Sequence, residues 1–429
     1  MTIYAERSRQ ELLDLKAALD KEYASHKAKG LSLNMARGKP GADQLDLSMP
    51  MLDLANASSA CQSEAGVDLR NYGILDGIPE CKKLMASMLD DTPENTIVFG
   101  NSSLTIMYDS IMRFMMFGTL GSTPWSKLDK VKFLCPVPGY DRHFAITERF
   151  GIEMINVPLN EDGPDMDLVE KLVADDTSVK GIWCVPKYAN PSGITYSDET
   201  VRRLASMKCA ASDFRIMWDN AYCVHHLSAN PSEQDQLLDI AGECTKAGNP
   251  DRYFKFASTS KVTFPGAGVA AMAASPANVE EVKKHITIQM IGHDKINQLR
   301  HVLFLKDAQG IAEHMQKHAA IIAPKFELVL DKLSSGLSET GCGSWTKPHG
   351  GYFISFDAPE GTAKRIVELA REAGVTMTGA GATYPYKNDP KDSNIRIAPT
   401  LPPLAELEQA MEVFVCCVKL ASTEKLLGA

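Results

Sequence analysis

The run FASTSK, residues 256–261, closes an apolar, β-rich segment on three hydroxyl residues and a single lysine, Lys261. A lysine amine attacks a carbonyl when burial or nearby positive charge lowers its pKa. Lys261 at a strand end could therefore form an imine with an aldehyde, or be one more solvated lysine. WDNAY, residues 218–222, places Asp219 at another strand end with Tyr222 just beyond. A carboxylate there can keep a heterocyclic nitrogen protonated, or simply cap a turn. In YANPSG, residues 188–193, the Asn190 amide could donate to a ring oxygen, although N-P-S-G is also a good turn sequence. VFGNSSLTIMYDS, residues 98–110, reads strand, small polar residues, helix. Asn101, Ser102 and Ser103 would there offer hydroxyls and free N–H groups to a phosphate, or serve as an N-cap. CPVPGYDRHF, residues 135–144, adds Tyr140 as an aromatic plate and His143 one helical turn further on.

The elements that must position these residues follow from periodicity. Between about 95 and 275, seven β-rich runs (NTIVFG, KVKFLCPV, EMINVPL, GIWCVPKY, RIMWDNAY, YFKFAS, GVAAMAAS) alternate with helical patterns over 103–117, 197–210 and 232–244. That rhythm predicts a mainly parallel sheet covered by helices on both faces. In such sheets, ligands bind beyond the carboxyl ends of the strands, where every candidate above lies. After residue 300 a long helical pattern, two short strands and a terminal helix predict a second, smaller α/β unit. The expected division is an N-terminal segment, 1–55, packing with the small domain, a large domain, 56–305, and the small domain, 306–429.

Composition narrows the classes. The chain has 429 residues, 44% hydrophobic and 23% charged, with a net charge of −9, an ordinary balance for a globular enzyme and a poor one for binding nucleic acid. No apolar run is long enough to span a bilayer, and MTIYAERSRQELLDLKAALDKEY lacks the apolar core of a signal peptide. Ten cysteines are scattered without metal or disulfide spacing, which predicts free thiols and a cytoplasmic location. His314 and His318 have a metal-like spacing but no third ligand, so a solvated helix face and no metal are expected. The run around Met107, Met112, Met115 and Met116 reads as core.

In this order, Tyr72, Gly100-Asn101-Ser102-Ser103, Tyr140, Asn190-Pro-Ser-Gly, Asp219 with Tyr222, Ser258-x-Ser260-Lys261 and Arg396 resemble the fold type I, class I pyridoxal-phosphate aminotransferases, over most of the chain. NMARGKP, PGYDRH, DNAYCVHHL and HDKINQLRH look like a divergent bacterial aspartate aminotransferase subgroup. The resemblance implies a cofactor, pyridoxal 5'-phosphate, held covalently by Lys261, which also shuttles the substrate Cα proton. Asp219 would keep the pyridine nitrogen protonated, with His143 orienting it, while Asn190 and Tyr222 bond the phenolic oxygen and Tyr140 stacks on the ring. Asn101, Ser102, Ser103, Ser258 and Ser260 would hold the phosphate, joined by Tyr72 of a neighbouring subunit, which implies a homodimer with shared sites. Arg396 would clamp the substrate α-carboxylate, and Asn190 would also contact the substrate. One departure stands out: many relatives carry an arginine eight residues after the lysine, where this chain has Val269.

The implied activity is ping-pong exchange of an amino group between an amino acid, L-aspartate first, and 2-oxoglutarate. A dicarboxylic donor needs a second cation, for which Arg37 is the first candidate, ahead of Lys39, Arg142 and Lys295. Alternatives are an alanine, aromatic or aminoadipate-like donor, a β-lyase or C–S lyase on the same cofactor, a transcriptional regulator with an aminotransferase-like domain, and a plain binding protein. A lyase would give pyruvate and ammonia without an acceptor. A regulator would need a basic helix-turn-helix domain ahead of the Tyr72 region.

Overall fold

Val179–Cys184, Arg215–Asp219, Tyr253–Ser258 and Ala270–Ala274 are buried at every residue, which requires cover on both faces of the sheet they form. The computed structural model describes residues 3–428. In spatial order the large sheet runs Thr96–Val98, Ala270–Ala274, Tyr253–Ser258, Arg215–Asp219, Val179–Cys184, Lys132–Val137, Glu153–Asn160, Gly163–Pro164. The strands from Tyr253–Ser258 to Glu153–Asn160 are parallel, and Ala270–Ala274 runs antiparallel to both its neighbours. All seven expected strands are present. The eighth, Gly163–Pro164, is a two-residue return after the Glu161–Asp162 turn, too short to carry a sequence pattern. The chain therefore has an α/β fold with a large, mainly parallel sheet.

Parallel strands end on one edge, so this topology delivers the segments after Val137, Cys184, Asp219 and Ser258 to a common cleft. The helix Ser103–Phe117 falls where periodicity predicts it. Met107 is buried, but Met116 and Phe117 are 56% and 55% exposed, because the apolar residues continue around the helix instead of holding one stripe. The helix expected over 232–244 is broken. Pro231–Glu233 forms a single 3-10 turn, and a new helix, Ile240–Lys246, starts where Asp239 accepts from the N–H groups of Ala241 and Gly242. The Asp239 cap supplies a start signal that the helical spacing overrode.

A second layered unit packs beside the large sheet. Leu33–Met35 pairs in parallel with Val375–Met377, and Ile354–Asp357 lies between Ser344–Trp345 and Asn394–Ile397 in an antiparallel sheet. The helix Arg9–Ala28 packs on the terminal helix Leu404–Leu427. Tyr4, Leu19, Leu33 and Met35 share one core with Phe326, Ile366 and Phe414. Among the described residues no helix is long and apolar enough to cross a membrane.

The long helix Ala308–Leu337 corrects one expectation. His314 and His318 are 5% and 1% exposed, so their face is not solvated. The segment carrying Gln44 and Ser48 crosses it, a long-range packing that local spacing does not encode. Gln44 Nε2 lies 3.1 Å from His318 Nδ1, and His314 Nε2 lies 2.8 Å from the Val262 carbonyl. Burial, then His314, drives the His318 pKa from 6.5 to about 4. Unfolding frees this imidazole to take a proton, so its contribution to stability is complete above about pH 6.5 and is lost as pH falls toward 4. The His318→Gln variant should therefore lose less stability than the wild type between about pH 7 and pH 5, read as urea midpoints. Equal losses would contradict a neutral buried His318.

Candidate active site

Asp219 ends its strand almost fully buried, 2% exposed. Its Oδ2 lies 2.9 Å from His143 Nε2, while Oδ1 is buried with no hydrogen-bond partner. A buried carboxylate oxygen lacking a donor is costly, so this site is shaped for a donor the chain does not supply. His143 comes from the helix Asp141–Arg149 and stacks on Trp183 with ring centroids 4.4 Å apart and planes at 11°. That stack fixes the imidazole against Asp219. Tyr140, just before the helix, meets His143 edge-on at 4.9 Å.

Lys261 follows the next strand and is partly buried between two aromatic rings. Its Nζ is 4.8 Å from the Tyr222 ring centroid and 5.8 Å from that of Tyr352. Burial lowers the pKa of this ammonium, with the Asp219 charge acting in the opposite direction. The amine is thus closer to its nucleophilic form than a free lysine. Burial raises the pKa of the Tyr222 and Tyr140 hydroxyls, which stay protonated and able to donate.

The hydroxyl residues knit two loops together. Ser258 Oγ donates to Ser260 Oγ at 3.0 Å, Ser260 Oγ donates to the Asn101 carbonyl at 3.1 Å, and Asn101 Nδ2 donates to the Pro265 carbonyl at 3.2 Å. Ser102 occupies the N-cap of Ser103–Phe117, yet its side chain makes no capping bond. A helix N-terminus with free N–H groups is an anion site. Val269 is buried at 2% exposure, its N–H donating to Thr259 Oγ1 at 2.9 Å, so this position closes the lysine loop and brings no cation.

On the other side of the cleft, Arg396 projects from Asn394–Ile397 at 7% exposure. Its Nη1 donates to Asp141 Oδ1 at 2.9 Å and to Asn190 Oδ1 at 3.2 Å, and its guanidinium lies 4.9 Å from the Phe353 ring centroid. Nη2 reaches Thr378 Oγ1 at 3.5 Å, and that hydroxyl donates to the Ala36 carbonyl at 2.6 Å. The segment holding Arg37 therefore borders Arg396. Arg37 itself is exposed, as are Lys39 and Arg142, while Lys295 is buried. Tyr72 stands apart, 83% exposed.

Three features are complementary to one ligand: an amine for an aldehyde, an unpartnered buried acid oxygen for a protonated ring nitrogen, and an open helix end for a phosphate. Pyridoxal phosphate carries all three groups. A family model for aspartate aminotransferase matches residues 7–429. The chain belongs to the aspartate aminotransferase family. It is 48% identical over 407 residues to an aspartate aminotransferase of Corynebacterium glutamicum, covering 95% of this chain and 93% of that one. A solved aspartate transaminase from Corynebacterium glutamicum superposes with a TM-score of 0.96 at 46% identity, covering 99% of both chains. An α-aminoadipate aminotransferase from Thermus thermophilus, solved with N-(5'-phosphopyridoxyl)-L-leucine, shares the fold, with a TM-score of 0.73 at 18% identity over 93% of this chain and 95% of that one. The protein is thus a transaminase, and its cofactor is pyridoxal phosphate.

Four residues of this aminotransferase site escaped sequence reasoning. Trp183 and Phe353 sit in ordinary apolar runs, and Thr378 in a short strand edge, with nothing to set them apart from core. Asp141 was visible, directly after Tyr140 in PGYDRH, but only the fold shows that it reaches Arg396.

Proposed function

We propose that the enzyme exchanges the amino group between L-aspartate and 2-oxoglutarate in two half-reactions, at sites shared across a homodimer. The observation that carries the cofactor's placement is the unpartnered Oδ1 of Asp219, on a carboxylate near enough to act on the Lys261 ammonium. When bound, pyridoxal phosphate supplies an aldehyde for an amine and a cationic ring that accepts the electron pair left at the substrate Cα. Lys261 would hold the aldehyde carbon and, when freed from it, would move a proton between the substrate Cα and that carbon. Asp219 Oδ1 would accept from the ring N–H, with His143 fixing the carboxylate. Asn190 spends its Oδ1 on Arg396 and has its Nδ2 left to donate to the ring oxygen beside the Tyr222 hydroxyl. Tyr140 covers the ring face. Asn101, Ser102, Ser103, Ser258 and Ser260 surround the phosphate, and Arg396 receives the α-carboxylate as a charge-assisted fork.

The aspartate preference is supported by the name of the Corynebacterium glutamicum relative. Arg37, an exposed cation next to the Ala36 carbonyl that Thr378 ties to Arg396, takes the distal carboxylate. Dimerisation is supported by exposed apolar side chains, Tyr72 at 83%, Ile288 at 89% and Ile291 at 60%, with Met116 and Phe117. Tyr72 then reaches the partner's phosphate.

A transamination panel with 2-oxoglutarate as acceptor tests the reading, with aspartate expected to outrun alanine and phenylalanine. Arg37→Ala should raise KM for aspartate about tenfold while leaving alanine unchanged. An equal effect on both donors would remove Arg37 from the distal site. Release of pyruvate and ammonia without an acceptor would favour the lyase.

A further inference from the structure

Arg396 already holds a carboxylate. Asp141 Oδ1 sits 2.9 Å from Nη1, and its side chain keeps 34% of its exposure against 7% for the arginine, so the acid is the solvent-open half of the pair. Nε is buried without a protein partner, so Asp141 engages the guanidinium at Nη1. The other two contacts are neutral: Asn190 Oδ1 at 3.2 Å and Thr378 Oγ1 at 3.5 Å. Asp141 is the single charged partner of Arg396 among the described residues.

We propose that Asp141 is a displaceable stand-in for the substrate α-carboxylate: it pairs with Arg396 in the empty site and yields that position when an amino or oxo acid binds. This rests on the reading of Arg396 as the α-carboxylate site. An empty site without Asp141 would leave a nearly buried arginine unpaired, which is costly. The released acid has a place to go. Asp141 is the first residue of the helix Asp141–Arg149, whose N-terminus has no side-chain cap, and a negative charge is favoured at that end. Each turnover begins by breaking the internal pair and ends by remaking it, so Asp141 weakens binding and speeds product departure. Because every substrate brings an α-carboxylate, amino donors and oxo acceptors are affected alike, unlike the donor-selective effect of Arg37.

The test uses the holoenzyme with Asp141→Asn and Asp141→Ala, measuring KM for aspartate and for 2-oxoglutarate and the dissociation constant of maleate, an unreactive dicarboxylate. In both variants KM for both substrates should fall about threefold to tenfold, and maleate should bind tighter by a similar factor. Misfolding lowers the active fraction and cannot lower KM. Unchanged or raised KM in both variants, with a transaminating wild type, overturns the stand-in. If the wild type transaminates neither substrate, the functional reading has failed and maleate still decides: tighter binding to the variants supports the displaced acid, and equal or weaker binding overturns it.

Discussion

Replacing Lys261 by alanine should lower turnover with aspartate and 2-oxoglutarate by at least about 10^4-fold, the upper range for loss of a proton-transferring group. Two roles disappear together, the covalent anchor and the base at the substrate Cα, and residues acting as a unit are not additive. Lys261→Arg separates charge from chemistry. A guanidinium keeps a cation against the Tyr222 and Tyr352 rings but cannot surrender its proton, so this variant should be as inactive as alanine. Both proteins should still bind the cofactor noncovalently through the phosphate cradle. Borohydride treatment of the wild type should label the peptide containing Lys261 and no other. A label elsewhere, or either variant retaining activity within about tenfold of wild type, would remove Lys261 from the centre of the chemistry.

Why these residues were legible while others were not follows from the fold's own geometry. A parallel sheet converts strand order into spatial proximity, so a lysine, an acid and an asparagine at three strand ends could be assigned to one cleft without coordinates. The strands were readable because runs such as IMWD and FKFAS are apolar, aromatic-rich and too short for helices. Contacts between segments far apart in the chain were not readable. The Asp141–Arg396 pair spans 255 positions, and Gln44 meets His318 across 274. Neither is encoded in local periodicity, which is why the His314 and His318 face was assigned to solvent. The helix over 232–244 failed for the opposite reason: local spacing was followed past a capping aspartate, Asp239, that starts a new helix. At position 269 the sequence showed a missing cation, and the structure shows what stands there, a buried valine closing the loop on Thr259.

Asp219→Asn should cut the rate of the first half-reaction with aspartate by about 10^2- to 10^3-fold, the scale for losing one preorganised electrostatic partner of a developing charge. The substitution is nearly isosteric and keeps an acceptor at Oδ1, so the change isolates the charge that holds the ring cationic. Cofactor attachment at Lys261 should persist, which separates loss of electron withdrawal from loss of binding. His143→Asn should cost only about tenfold, because the imidazole acts through Asp219 and stacks on Trp183 without touching the reacting atoms. Rapid-mixing measurement of the half-reaction decides both, and an Asp219→Asn rate within about tenfold of wild type would sink the assignment. The same variant makes a second, opposite demand on stability. Asp219 is a buried carboxylate whose Oδ1 has no donor from the chain. A neutral amide is less costly to bury than a carboxylate, so apo Asp219→Asn should melt no lower than the wild type, and higher if the His143 contact survives. Gain of apo stability together with loss of turnover is the signature of a residue placed for its ligand at the expense of the fold.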